Sequence, residues 1–411
     1  ALPICQDQRQ MSRTYSIAPG YVHTFSSSMV ATFNPYLRSD FIHYYPSNNA
    51  FADQPATISE NRSLKNYGMR GDLSLVKGIH NFKTGIQISR THLNEAFGFG
   101  ITDPTYVDPR EQPGLVPFDL TRGGRLLRFQ GATNVDQFAW YAQDALTFGN
   151  FTLNAGFRLD RYDGLTDDVG LEPRAGAAYH IKRTGTVLRA GYSHTFETPY
   201  NENLILSSST GSGGLALNTF GAMSATPLHP GRRDQYNAGL EQAIAHRLVF
   251  SGDYFWKYTT NGFDFSSLLN SPIVFPITWR KSKIDGVAAR LTLTNYHGLM
   301  AYTAFGHSRA RYFGPSNGGL VFDSPLATQV FRIDHDQAFQ QTTFARYQAP
   351  VKLGPWIAVT WRYDSGMVAG AVTDLDDALG LTADQQSAIG RSEEHTSELQ
   401  SRLHLVCRLL L

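Results

Sequence analysis

The chain has 411 residues, of which 42% are hydrophobic and 12% aromatic, and its 36 Lys and Arg nearly balance its 35 Asp and Glu. This balance argues against a nucleic-acid partner, which requires a basic excess. The sequence contains no uninterrupted apolar run of about 18 residues and only two cysteines, Cys5 and Cys407. Neither a membrane-spanning helix nor a disulfide framework is therefore predicted.

Alternating segments recur along the whole chain and predict about fourteen β-strands. In chain order they are Tyr15–Phe25, Ser28–Tyr45, Asn61–Val76, Asn81–Phe97, Asn134–Phe148, Asn150–Gly164, Glu172–His180, Thr186–Pro199, Arg233–Ala245, Leu248–Phe265, Ile277–Thr294, Leu299–Phe313, Arg332–Gln348 and Trp356–Ala369.

The segment Asn150–Gly164 shows the alternation most clearly. Phe157 and Leu159 fall on one side of the predicted strand, whereas Arg158 and Asp160 fall on the other, because successive Cβ atoms point to opposite faces. A dry sandwich core would not accept these charges. An apolar outside around a wet inside is typical of a transmembrane β-barrel, so we predict an all-β, antiparallel barrel.

The predicted connections alternate between two lengths. Tight turns lie near Ser27, Gly78, Gly149, Arg183, His246, His297 and Gly354, and longer polar segments, such as Gly98–Phe129 and Tyr200–Arg232, separate them. Short periplasmic turns and long extracellular loops are typical of barrels in the bacterial outer membrane. A soluble sandwich would mix the two lengths. We therefore expect the protein in the outer membrane, with membrane lipid as one partner.

Aromatic residues near the predicted strand ends are expected to form an interfacial girdle, because their rings favour the level of the lipid headgroups. They are Tyr44, Tyr45, Tyr254, Trp256, Tyr312, Phe313, Trp361 and Tyr363.

Six polar residues are predicted to face the lumen of the barrel: Arg158, Asp160, Arg174, Arg189, Arg290 and Thr292. They would either guide a solute and contact a plug, or provide only the general polarity of a wet interior. Ligand contacts are expected in the long loops instead. We predict no catalytic, cofactor-binding or metal-binding residue: Asp334, His335 and Asp336 alternate between faces and cannot converge on one ion.

Several segments resemble the barrel of TonB-dependent outer-membrane receptors. They are Tyr141–Phe148 (YAQDALTF), Leu153–Asp160 (LNAGFRLD), Glu172–Tyr179 (EPRAGAAY), Ala190–Glu202 (AGYSHTFETPYNE), Tyr236–Gln242 (YNAGLEQ) and Lys281–Leu291 (KSKIDGVAARL). The resemblance implies a barrel of about 22 strands closed by an N-terminal plug. It also implies uptake of a scarce nutrient, such as an iron chelate, cobalamin or an oligosaccharide, driven by the periplasmic energy-transducing protein TonB. It does not imply an enzyme.

The ends of the chain differ from that family pattern. With about eight strands too few, and without the plug, the TonB-contacting box or a secretory signal, residues 1–370 are predicted to be a barrel fragment. Residues 371–390 would be an extracellular loop that is cut short. Residues 391–411 are predicted to be a non-native tail, because Arg391–Ser401 resembles the translation of a sequencing adapter; the alternative is an amphipathic terminal helix.

Two alternative functions remain open from the sequence. A passive porin would be free of a plug and would have about 16 to 18 strands. An outer-membrane hydrolase would need a Ser/His/Asp set near one rim, for which His43, His194 and His335 are available without any spacing that links them.

Overall fold

The computed structural model describes residues 7–107, 109, 114–208, 227–245, 247–267, 272–318, 330–332, 336–351 and 354–366. In this part of the chain, none of the helices has both the length and the apolar character needed to cross a membrane. The strands are β1 (Arg9–Ile17), β2 (Tyr21–Ser26), β3 (Met29–Tyr45), β4 (Ala56–Lys77), β5 (His80–Ile101), β6 (Leu127–Phe148), β7 (Phe151–Asp163), β8 (Asp167–Ile181), β9 (Thr186–Glu197), β10 (Gly231–Ile244), β11 (Leu248–Ser267), β12 (Val274–Tyr296), β13 (Leu299–Asn317), β14 (Val330–Phe331), β15 (Phe339–Gln348) and β16 (Trp356–Asp364). Within these ranges, one short α-helix, α1 (Leu204–Ser208), precedes β10, and three 3-10 helices lie at Ala50–Ala52, Val116–Phe118 and Leu120–Arg122.

All of these strands belong to one antiparallel sheet. Its order is β1-β3-β4-β5-β6-β7-β8-β9-β10-β11-β12-β13-β15-β16, while β2 pairs with β3 and β14 pairs with β13. Each strand of the main path therefore pairs with its neighbours along the chain, as in an up-and-down barrel. The predicted all-β antiparallel architecture is confirmed.

Three predicted strands differ clearly from the observed ones, and one of them is the last, because β16 ends at Asp364 before the predicted Ala369. The segment Tyr15–Phe25 is divided into β1 and β2 at Pro19 and Gly20, because proline has no N–H to donate to a ladder. The predicted strand from Arg332 is shorter than expected: β15 begins at Phe339, and the two-residue β14 precedes it. The predicted tail, the loop 371–390 and both cysteines lie outside the residues that the structure describes.

The strands also extend further into the long connections than the alternation predicts. β5 continues to Ile101 and β6 begins at Leu127, with Phe99 paired to Leu127. The predicted loop Gly98–Phe129 is consequently shorter. Backbone pairing does not require the two-residue apolar alternation, which ends where the strands leave the apolar belt.

One face of the sheet is an apolar belt, which we call the outer face. Directly paired residues point to the same side, and one such row runs from Met69 through Ile88 to Phe138. The large side chains on this face are exposed; they include Phe33, Leu37, Ile86, Trp140, Leu171, Leu188, Leu240, Val287 and Leu291. Exposed apolar side chains over so many adjacent strands are those of a wall that faces lipid.

The apolar belt ends at a defined level. In the next row beyond Ile88 and Phe138, the Arg90 guanidinium donates to both oxygens of Asp136, at 2.5 and 2.7 Å. On β12 the outer face changes from apolar to charged between Val287 and Asp285. Above this level, toward the long connections, charged and polar residues are interspersed with aromatic and apolar residues on the outer face.

A buried hydrophobic cluster lies at the long-connection end, on the side opposite the outer face. It joins strand residues to residues of the connecting segments, among them Leu93, Phe97, Phe99, Leu115, Phe118, Leu204, Leu206, Leu228 and Phe275. The rings of Phe97 on β5 and Phe275 on β12 meet at 5.8 Å, although six strands separate β5 from β12 in the sheet. The sheet is therefore curved far enough for distant strands to meet.

The predicted aromatic girdle is partly wrong. Tyr44 is 5% exposed and belongs to the buried cluster, and Tyr312 pairs with Ser282 on the face opposite the belt. Tyr254 and Trp256 do lie on the outer face, in edge contact at 4.4 Å. Alternation across the sheet, rather than closeness to a strand end, decides which rings face outward.

Candidate functional site

The candidate site is the polar face, which is the face of the sheet opposite the apolar belt. The structure places all six predicted residues on this face, because they alternate with outer-face residues such as Leu159, Leu188 and Leu291. It groups them into three separate clusters on β7 and β8, on β9, and on β12.

The first cluster joins Arg158, Asp160 and Arg174 through Glu172. The Arg158 guanidinium donates to both oxygens of Asp160, at 2.6 and 2.8 Å. Glu172 lies directly opposite Arg158 across the β7–β8 hairpin, 3.8 Å from it and 3.8 Å from Arg174. Such fork-shaped charge pairs hold the side chains in fixed directions.

A cavity of about 420 Å³ opens beside this cluster. Its lining is mostly polar and includes Gln87, Gln137, Arg158, Asp160, Glu172, Arg174 and Thr195. Amide, hydroxyl and charged groups of both signs therefore converge on one space. This arrangement can hydrogen-bond either a polar solute or the surface of another polypeptide segment.

The second cluster contains Arg189 of β9. Its guanidinium donates to both oxygens of Asp253 on β11, at 2.8 and 2.5 Å, and lies 3.9 Å from Glu241 on β10. The pair crosses over Gly239, the residue that faces Arg189 on β10. A side chain at Gly239 would obstruct this crossing, since an added Cβ would lie 2.8 Å from the Gly252 carbonyl oxygen.

The third cluster contains Arg290 and Thr292 of β12. The Arg290 Nε–H donates to the Thr292 hydroxyl at 3.2 Å, and its guanidinium carbon lies 4.1 Å from the centre of the Tyr302 ring. These two partners are neutral, whereas Arg158 and Arg189 bond to carboxylates. A guanidinium held by neutral groups keeps its charge available to an anion.

Several residues of the polar face were missed by the sequence analysis. Glu172 and Asp253 complete the first two clusters, and Asp72 accepts from both Arg70, at 3.1 Å, and the Tyr141 hydroxyl. Glu172 could have been found from the register of the β7–β8 hairpin, which places it opposite Arg158 once the short turn is known. Asp253 lies two strands from Arg189, and no local pattern reveals that partner.

A strap of residues 199–208, ending in α1, crosses the polar side at the long-connection end. The Ile205 and Leu206 N–H groups donate to the Glu95 carboxylate on β5, at 3.2 and 2.9 Å. On the opposite wall, the Ser207 hydroxyl donates to the Pro276 carbonyl of β12 at 2.7 Å. The strap therefore bridges β5 and β12 above the belt.

Burial controls the titration of the carboxylates beneath the strap. Glu95 is 1% exposed, and burial raises its pKa to about 7 even though the two N–H donors and Arg62 favour the charged form. Burial likewise raises the pKa of Glu60, against the attraction of Arg62 at 3.2 Å. The charged form of a buried carboxylate is disfavoured because low-dielectric surroundings replace its water.

No group of three or more potential metal ligands occurs within the described ranges. The two described histidines among those considered for a hydrolase have separate partners. His43 stacks on Tyr45 at 3.7 Å, His194 lies 2.9 Å from Asp234, and His335 lies outside the described residues. The chemistry that the polar face supports is hydrogen bonding and charge pairing.

Comparison with solved structures shows which fold the chain shares. It resembles the FrpB iron transporter from Neisseria meningitidis (TM-score 0.55, 13% identity, covering 86% of this chain and 50% of that chain). It also resembles the copper transporter OprC (TM-score 0.59, 11% identity, covering 85% of this chain and 52% of that chain). A third similar structure is the ferric yersiniabactin uptake receptor FyuA from Yersinia pestis (TM-score 0.57, 10% identity, covering 86% of this chain and 50% of that chain). The chain thus spans about half the length of these structures.

A search of curated proteins finds no match to the chain. The family model described as "TonB dependent receptor-like, beta-barrel" matches residues 6–387, which confirms the resemblance expected from the strand motifs. The chain belongs to the TonB-dependent receptor family, within its β-barrel domain.

Proposed function

We propose that the chain is the barrel portion of an outer-membrane receptor for energy-coupled uptake of a scarce nutrient. The observation that carries this proposal is the family match over residues 6–387. The two-faced sheet supports it, because an apolar belt outside and paired charges inside suit a wall between lipid and a wet passage. The receptor is not an enzyme in this proposal.

An iron chelate is the first candidate substrate. FrpB is described as an iron transporter and FyuA as a ferric yersiniabactin uptake receptor, whereas OprC is described as a copper transporter. Chelates that carry carboxylates would suit the guanidinium groups of the polar face, and Arg290 in particular has neutral contacts. Cobalamin, an oligosaccharide and copper are the competing substrates for the test.

The proposed partners follow from the two faces and the family. Membrane lipid covers the apolar belt, and TonB acts through an N-terminal region of the complete receptor. The six residues of the three clusters line the interior, where they contact the solute or the plug. A nucleic-acid partner is not part of the proposal, given the balance of charges.

Uptake by the complete receptor tests the proposal. The full-length gene is expressed in hosts that lack their own ferric-chelate receptors, with and without TonB, and accumulation of radiolabelled iron chelate is measured with and without a protonophore. We expect uptake that requires both TonB and the proton gradient. Uptake that persists without either would contradict the proposal and indicate a passive porin. Parallel measurements with copper, cobalamin and oligosaccharides identify the substrate class.

A further inference from the structure

A group of basic side chains lies on the outer face where β12 and β13 rise above the apolar belt. It consists of Lys281, Lys283, Arg309 and Arg311, which we call the basic outer patch. Register places them on the outer face, since they alternate with Ser282 and Ala310, which are buried on the polar side. Arg309 and Arg311 have side chains that are 58% and 44% exposed.

Like charges oppose one another within this patch. Lys283 pairs directly with Arg311 across the two strands, an arrangement that destabilises a sheet. On the outer face of β11–β13 at these levels, Asp285 is the one described acid; it accepts from Arg309 at 3.1 Å and from Arg311. The patch therefore keeps an excess of three positive charges.

The patch lies immediately beyond the apolar belt. Val287, Ala289 and Leu291 are outer-face residues below it on β12, and Tyr254, Trp256 and Tyr258 border it on β11. The Lys283 ammonium lies 5.9 Å from the Tyr258 ring and 6.0 Å from the Phe313 ring. Aromatic rings followed by cations mark the level at which a membrane protein meets lipid headgroups.

The basic excess is local rather than general. On the outer face of β5–β8, the cations at the corresponding boundary are matched by acids: Arg90 bonds to Asp136, and Arg161 lies 3.3 Å from Asp167. Asp163 adds a further negative charge there. A uniform need for solubility above the belt would not concentrate an excess of cations on two adjacent strands.

We propose that the basic outer patch binds the phosphate groups of an anionic glycolipid in the outer leaflet. Phosphates would neutralise the opposed Lys283 and Arg311 while the acyl chains lie along Val287, Leu291 and Phe305. The two lysines suit phosphate as compact charges, and Arg311 can add a forked contact. The inference rests on the outer-membrane location of the proposed function, but it does not depend on the transported substrate.

Binding of bisphosphorylated lipid A to the detergent-solubilised, full-length receptor tests the inference. The double variant Lys281→Gln/Lys283→Gln removes two of the four charges, and we expect about thirtyfold weaker affinity, since each cation near a lipid surface contributes roughly a factor of five. The control variant Arg90→Gln/Arg161→Gln removes two outer-face cations from the mixed part of the rim and should keep its affinity. Circular dichroism verifies that both variants retain the sheet.

Three results would overturn the inference: equal affinity of the Lys281→Gln/Lys283→Gln variant and the parent, equal binding of dephosphorylated lipid A, or competition by inorganic phosphate at the same concentration as the lipid. The same variants are also assayed for chelate uptake. If the receptor binds lipid A but its uptake is passive, the proposed function is contradicted and this inference is supported. If its uptake is energised but it does not bind lipid A, this inference is contradicted and the proposed function is supported.

Discussion

Glycines on the polar face make room for side chains that cross between strands. Gly239 lies beneath the Arg189–Asp253 pair, and an added Cβ would meet backbone as well as the carboxylate. We predict that Gly239→Ala displaces the pair and lowers the free energy of unfolding by about 1–3 kcal/mol, the usual cost of overpacking. Equilibrium denaturation of the full-length receptor in detergent measures this loss.

Gly176 provides the matched control for this substitution. It also lies within a strand of the polar face, but a Cβ added there would have its nearest neighbour at 3.7 Å, an ordinary contact. Gly176→Ala should therefore leave the free energy of unfolding within about 0.5 kcal/mol of the parent. If the two alanine variants were equally stable, the crossing at Gly239 would not constrain the sheet.

Glu95 should make the attachment of the strap depend on pH. Its pKa rises from 4.5 to about 7 in the folded protein. Between pH 4.5 and pH 7, the Glu95 carboxyl therefore keeps a proton while the strap is attached and releases it when the strap detaches. The strap is then most stable below pH 4.5 and loses up to about 3 kcal/mol as the pH rises through 7. Hydrogen exchange at Ile205 and Leu206, corrected for intrinsic rates, should show less protection at pH 8 than at pH 5.

Glu95→Gln separates this titration from the packing of the strap. Glutamine resembles the neutral carboxyl in shape and stays uncharged at both pH values. The protection of Ile205 and Leu206 in this variant should consequently be the same at pH 5 and pH 8. A parent receptor whose protection also stays constant would show that Glu95 does not titrate in this range.

At the level of single strands, alternation decides which side chains meet lipid. Phe157 is on the outer face of β7, against Trp140 at 5.0 Å, whereas Asn154 is on the polar face. We predict that Phe157→Arg lowers the free energy of unfolding in lipid by roughly 2–4 kcal/mol, because it places a charge near the middle of the belt. Asn154→Arg, the control, should cost less than 1 kcal/mol; equal costs would contradict the assignment of the faces.

The sequence was sufficient to predict most of the strands and the two faces, because a period of two residues and short turns are local properties. Arg158 and Asp160, for example, are on the predicted side of β7. It was insufficient where distant residues decide the structure. Asp253 reaches Arg189 across an intervening strand, and Glu95 bonds to residues more than one hundred positions away. Curvature of the whole sheet sets these contacts.

At the level of the whole molecule, the two outermost strands of the described sheet do not pair with each other. β1 and β16 both present exposed apolar side chains, such as Ile17 (66%), Ile357 (65%) and Trp361 (63%). Unpaired strand edges are costly in lipid and promote association. We predict that a polypeptide limited to residues 7–366 assembles into oligomers in detergent, as measured by light scattering after size exclusion.

The full-length receptor is the control for this experiment. It should elute as a monomer, because further strands of the complete barrel would pair with β1 and β16. A monodisperse monomer of residues 7–366 would mean that the two edges close on each other, and that the sheet is a complete barrel by itself.

Lipid exposure along β7 tests the two-faced wall most directly. Nitroxide labels are introduced at each position from 151 to 160 of the full-length receptor in bilayers, in a cysteine-free background, and their collisions with oxygen and with a water-soluble nickel chelate are measured. Oxygen should dominate at Phe151, Leu153, Ala155, Phe157 and Leu159, and the nickel chelate at Thr152, Asn154, Gly156, Arg158 and Asp160. The absence of this alternation, or the opposite phase, would contradict a barrel wall between lipid and a wet interior.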